Sequence, residues 1–77
     1  MKIKVRYFGQ IKEITGKSDE YLVEQFETVQ SLKSFLKKRY PELNALNFKI
    51  AQDNKIDEDS SHLHGTLIDL LPPFSGG

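Results

Sequence analysis

Cysteine is absent from this 77-residue chain, which excludes disulfides, thiolate metal sites and a cysteine nucleophile. Net charge is absent as well. Eleven Lys and Arg balance eleven Asp and Glu, so no bulk positive field draws the chain to nucleic acid or to an anionic membrane. Long apolar runs are missing and charge begins at Lys2, so neither a transmembrane helix nor a secretory leader is expected, and the chain reads as a cytoplasmic domain. Repeats, linkers and low-complexity blocks do not occur. Even apolar residues are sparse, at 38% against 29% charged. At 8.9 kDa there is room for one small domain, whose modest core would gain from cover by a partner.

What is present reads as an alternation of short strands and one good helix. Lys2 to Phe8 alternates strictly, with Ile3, Val5 and Tyr7 on one face and Lys2, Lys4 and Arg6 on the other. Gly9 ends this strand. Ile11 and Ile14 suit a short helical turn closed by Thr15-Gly16. Tyr21 to Phe26 predicts a second strand, antiparallel to the first. Thr28 is a good N-cap for a helix whose stripe is Val29, Leu32, Phe35, Leu36 and Tyr40. Lys37, Lys38 and Arg39 oppose the negative end of its dipole, and Pro41 stops it. Leu43 and Leu46 are expected to cover the helix end.

Two short strands, 48–51 and 55–57, follow around Asp53-Asn54, and residues 57–62 read as polar loop. A last strand over 66–71 ends at Pro72-Pro73, which cannot continue a ladder. This order of elements predicts an α+β fold of the ubiquitin-like β-grasp type, one helix packed across a mixed sheet. The domain spans 1–71, with 72–77 as a tail.

Strand parity marks an outer face that is not wholly polar. Phe8 shares the parity of Lys2, Lys4 and Arg6 and so points away from the helix. If Ile68 and Leu70 are the core pair of the last strand, Leu67 and Leu71 lie outside with Asp69. A β-grasp places the first and last strands side by side and parallel, so Phe8 and Leu71 would adjoin at the root of the tail. Exposed apolar patches of this kind mark contact sites.

Inside the domain nothing reads as catalytic. His62 and His64 lack the companions and spacing that a metal site requires, and Ser60-Ser61 has no base at a diagnostic spacing. Gly76-Gly77 is not a phosphate loop, because no helix follows it to present its amides. The tail has a different potential. A proline pair stiffens its base, and two residues without side chains can thread a narrow channel to bring a terminal carbonyl close to another protein's atoms. A carboxylate is inert until adenylated; sulfur can then displace AMP to leave a thiocarboxylate.

The ending Leu70-Leu71-Pro72-Pro73-Phe74-Ser75-Gly76-Gly77 closely resembles the C-terminus of the small, sulfur-carrying subunit of molybdopterin synthase. Val5 to Glu13, and Thr28-Val29 leading into a helix that closes with Arg39-Tyr40-Pro41, resemble the same family. The resemblance implies that Gly77 is adenylated with ATP by a ubiquitin-activating-type enzyme and then thiocarboxylated, with Gly76 providing the slender approach. No permanently bound cofactor or metal is implied. Pro72, Pro73, Phe74 and Ser75 would form an arm inserted into the large synthase subunit, while Phe8, Leu67 and Leu71 would contact that subunit. The assembly implied is two small and two large subunits, supplying sulfur to a cyclic pyranopterin phosphate; the small subunit donates sulfur without an active site of its own.

Two stretches depart from the family pattern. Gly65-Thr66-Leu67 stands where Gly-Asp-Glu is usual, and Ile50-Ala51-Gln52 where Ala-Val-Asn is usual. Other readings of the residues are a thiamine-pathway sulfur carrier, which is not expected to have the proline pair, a protein modifier joined through Gly77, and a plain interaction module.

Overall fold

Strict alternation at the start of the chain produces β1 (Ile3–Tyr7), with Ile3, Val5 and Tyr7 buried. The computed structural model describes residues 2–73. After β1 come α1 (Gln10–Thr15), β2 (Asp19–Leu22), α2 (Val29–Arg39), a 3₁₀ segment (Pro41–Ala45), β3 (Lys49–Gln52), β4 (Lys55–Asp57) and β5 (Leu67–Leu71). The sheet order is β2-β1-β5-β3-β4. Among the described residues, the central β1–β5 pair is parallel and the other three strand pairings are antiparallel. The expected β-grasp architecture is therefore present.

Local chemistry explains the element ends. The α1 helix stops at Gly16, whose φ of 76° is the left-handed cap conformation that glycine adopts without a steric penalty. Thr28 caps α2 in a reciprocal box with Ser31. From α2, Val29, Leu32 and Leu36 are fully buried, each contributing on the order of 1.5–3 kcal/mol through area removed from water. Leu43 is buried over the end of the helix and Leu46 packs beside the core. Between β3 and β4, Asp53 and Asn54 both take positive φ, 46° and 73°, the signature of a type I′ hairpin turn.

The second strand differs from its expected span. β2 covers Asp19–Leu22 rather than 21–26, because its pairing with β1 runs from Arg6↔Asp19 to Ile3↔Leu22 and then exhausts its partner. Past Leu22 the chain leaves the sheet. Val23 is exposed, and Phe26 turns in to meet Phe35 edge-on at 5.2 Å. β3 and β5 each start one residue later than expected, at Lys49 and Leu67.

Gln52, one of the departures from the family pattern, is a fully satisfied buried hub. Its amide nitrogen donates to Asp57 and to the His62 carbonyl, and its oxygen accepts from the backbone of His64 and Gly65. The longer side chain thus ties the loop before β5 to the β3–β4 hairpin.

A second polar hub joins β1, β2 and α2. Tyr7 and Tyr40 both donate hydroxyl hydrogen bonds to one oxygen of Glu20, while Arg39 and Lys17 lie 3.3 Å and 3.6 Å from the other. Burial alone would raise the Glu20 pKa. The two hydroxyls and two cations outweigh it and hold the carboxyl below its ordinary value of 4.5. A group whose pKa is lowered in the folded state stabilises folding above the unfolded value, and that contribution fades as pH falls through the folded value. Denaturant titrations should therefore find Glu20→Gln less stable than the native chain at pH 7, with the gap narrowing below about pH 4.5. A gap independent of pH would mean that the carboxylate charge contributes nothing.

Candidate functional site

The parallel pairing of β1 with β5 builds the corner where the tail leaves. Its register runs Lys4↔Leu67, Val5↔Ile68, Arg6↔Asp69 and Tyr7↔Leu70. Val5, Tyr7, Ile68 and Leu70 are buried on the helix side, so the parity expected for Phe8, Leu67 and Leu71 holds. One step beyond the last pair the register leads to Phe8 and Leu71, both of outer-face parity. Phe8 is 39% exposed and Leu71 half-buried. Pro72 continues directly from Leu71 and sits against Gly9, and Pro73 is exposed.

Phe8, Leu71 and Pro72 thus form one apolar corner. Leu67 is also on the outer face, but it lies four residues back along β5, roughly 13 Å away at strand rise. Phe74, Ser75, Gly76 and Gly77, the remaining expected site residues, lie outside the described residues.

Between Leu67 and the corner stands a pair that was not anticipated from the sequence. Arg6 donates from Nε and Nη2 to the two carboxylate oxygens of Asp69, at 2.6 Å and 2.9 Å. The hydrogen bond to Asp69 raises the guanidinium pKa above its ordinary value against the opposing effect of burial. Asp69 is only 7% exposed, so the fork is what makes a carboxylate tolerable there. The same guanidinium lies 5.6 Å from the centre of the Phe8 ring, within cation–π range. Lys2 and Lys4 lie comparably close to the exposed Tyr21 ring. Lys2, just before β1, and Lys4 and Arg6 within it are therefore engaged by neighbouring side chains rather than simply solvated. Alternation alone placed Arg6 and Asp69 on this face; the missing information was the register that sets them opposite one another.

On the opposite wing the outer face continues through Ala51 to Ile56, its partner across β3–β4, which is half exposed. A docking partner would meet apolar ground at two places, separated by the Arg6–Asp69 fork.

No group of three or more His, Cys, Asp or Glu able to hold a metal occurs among the described residues. His62 and His64 are exposed. One groove lies between Ile3, Phe26, Leu63 and His64, and another between Lys33, Lys49, Asp57 and Ser60. Neither brings a serine together with a histidine. No helix among the described residues is long and apolar enough to cross a membrane.

The sheet and helix make the protein a ubiquitin-like β-grasp domain, with its apolar corner at the root of the C-terminal segment. The ThiS family model matches residues 5–77, and the chain belongs to this family of sulfur carriers. Among solved structures it is similar to a Pyrococcus furiosus protein assigned as subunit 1 of molybdopterin converting factor. That match has 21% identity and a TM-score of 0.83, covering 96% of this chain and 99% of the other. It is also similar to small archaeal modifier protein 1 from Methanosarcina acetivorans, at 24% identity and a TM-score of 0.77, covering 99% and 96%. A third match is to the complex of subunits 1 and 2 of molybdopterin-converting factor from Helicobacter pylori. There identity is 27% and the TM-score 0.66, with both chains covered completely.

Replacing Arg6 alone strands Asp69 without its fork. Arg6→Met should therefore lower the denaturant midpoint more than the paired change Arg6→Met with Asp69→Leu, which removes both charges. A double variant at least as destabilised as the single one would show that the pair contributes more than mutual compensation.

Proposed function

We propose that the protein is the sulfur-carrying small subunit of a molybdopterin synthase. The observation that carries this reading is the coincidence, at one corner of a ThiS-family β-grasp, of an exposed Phe8–Leu71 patch and the start of the Pro72-Pro73-Phe74-Ser75-Gly76-Gly77 ending. The Helicobacter pylori relative, paired with a second subunit of molybdopterin-converting factor, supports a large-subunit partner.

In this reading the domain is a handle and the tail is the reagent. The Gly77 carboxylate attacks the α-phosphorus of ATP on a ubiquitin-activating-type enzyme, expelling pyrophosphate and leaving an acyl adenylate. Sulfide-level sulfur (HS⁻) from a donor then attacks the acyl carbon, AMP leaves with the bonding pair, and the sulfur loses its proton to solvent. The resulting thiocarboxylate enters the large subunit on the arm of Pro72, Pro73, Phe74 and Ser75. Glycine at both terminal positions keeps the path free of side chains. There its sulfur is transferred to a cyclic pyranopterin phosphate, and a second carrier supplies the other sulfur of the dithiolene. Two small and two large subunits make up the assembly. The domain itself contributes affinity and aim.

The test is reconstitution with the large subunit. A chain lacking Gly77, or carrying one extra residue after it, should form no dithiolene product while unfolding at the native temperature. Product formed at the native rate by either variant would contradict the reading.

Phe8→Asp and Leu71→Asp each place a charge at the centre of the patch. Each should weaken the large-subunit complex by roughly tenfold or more, with the melting temperature of the isolated domain little changed. Titration calorimetry that returns native dissociation constants for both would remove the docking role of this corner.

A further inference from the structure

Gly9 occupies an unusual place between β1 and α1. Its φ of 54° and ψ of −130° lie in a region that residues with a side chain rarely enter. It is also where the first strand meets the end of the last one. A Cβ built on Gly9 would stand 3.1 Å from Cγ and 3.7 Å from Cβ of Pro72. The ring of Pro72 therefore occupies the space that a side chain at position 9 would need.

Gly16 provides a contrast within the same loop system. It too has positive φ, but a Cβ there would meet nothing within 4 Å. Gly16 serves only the backbone, whereas Gly9 serves the backbone and also a contact.

From this juxtaposition we infer that Gly9 is a positioning residue for the C-terminal tail, providing the seat in which Pro72 rests and from which the chain is aimed off the sheet. The inference rests on the reading that the tail is the reacting arm. Three constraints act at the seat. Pro72 follows Leu71, the last residue paired in β5, whose partner Lys49 fixes it in the sheet. The pyrrolidine ring allows Pro72 only a narrow range of φ. The bare face of Gly9 then receives the ring beside Phe8, so the tail departs from the docking corner at a set angle. Such aim governs how often the terminal carbonyl reaches attacking distance once the domain has docked on an enzyme, so it acts on kcat rather than on affinity.

This separation of aim from affinity gives the test. Thiocarboxylation by the activating enzyme, ATP and a sulfur donor is followed for the native chain, Gly9→Ala, Pro72→Ala and the double variant, each with its melting curve. Gly9→Ala should lower kcat about tenfold, with KM within about twofold of native, because misdirection affects approach geometry rather than docking. In the Pro72→Ala background, where Cγ is gone, the same change should lower kcat less than about threefold.

An equal loss in both backgrounds would show that Gly9 serves only the turn into α1 and overturn the inference, as would an unchanged kcat. If Gly9→Ala does not fold, Pro72→Ala alone decides. A lower kcat at native KM and native melting temperature supports the seat, and native kcat refutes it. A native chain that takes up no sulfur removes the proposed function, and this inference falls with it. A competent native chain with insensitive variants removes the inference alone.

Discussion

The parallel pairing of β1 with β5 is the constraint on which the rest of the structure depends. Through Val5↔Ile68 and Tyr7↔Leu70 it brings buried side chains from the two ends of the chain together under the helix. Being parallel, it also makes both strands finish at the same edge of the sheet. Phe8 and Gly9 therefore come to the same end of the sheet as Leu71 and Pro72, and Gly9 lies against Pro72. An antiparallel pairing of the same strands would have put the tail's root at the far end, beside Lys2. Core and corner are thus two consequences of one ladder, and damage to its register would move every outer-face residue with it.

The outer face mixes apolar residues with charges that are paired on the sheet itself. A bare sheet of Phe8, Leu67, Leu71, Ala51 and Ile56 would invite indiscriminate association. The Arg6–Asp69 fork interrupts it at the centre with a self-compensated pair, and Lys2 and Lys4 cluster at Tyr21 on the flank. The apolar ground left at the tail's root is Phe8, Leu71 and Pro72, which fits the docking role proposed for it. Beneath the sheet, the Glu20 hub fastens β2 and the end of α2 to Tyr7. The strand that leads into the apolar corner is therefore held from behind.

Much of this was legible in the residues alone. Period-two alternation gave β1 its faces, the Thr28 cap and apolar stripe gave α2, and Gly16 and Pro41 gave two stops. What remained hidden depended on partners distant in sequence. β2 ends at Leu22 because β1 runs out opposite it, which no property of Val23 to Phe26 announces. Arg6 and Asp69 read separately as charged residues on the outer faces of two strands until the register sets them face to face. Glu20 carried no signal of its own; its neighbours Tyr7, Lys17, Arg39 and Tyr40 are gathered from three elements. The corner itself was deducible, because parity needs only one strand at a time and the β-grasp order supplied the adjacency. The chemistry proposed for the tail rests on its resemblance to a family, with its two slender terminal glycines in support.

The central claim is that the C-terminal glycine carries sulfur. The most direct measurement is the intact mass of the chain after incubation with its activating enzyme, ATP and a sulfur donor. The account predicts a gain equal to one sulfur in place of one oxygen, located on Gly77 by fragmentation. An unchanged mass, with the same enzyme shown competent on another carrier, would contradict it and leave a β-grasp interaction module in its place.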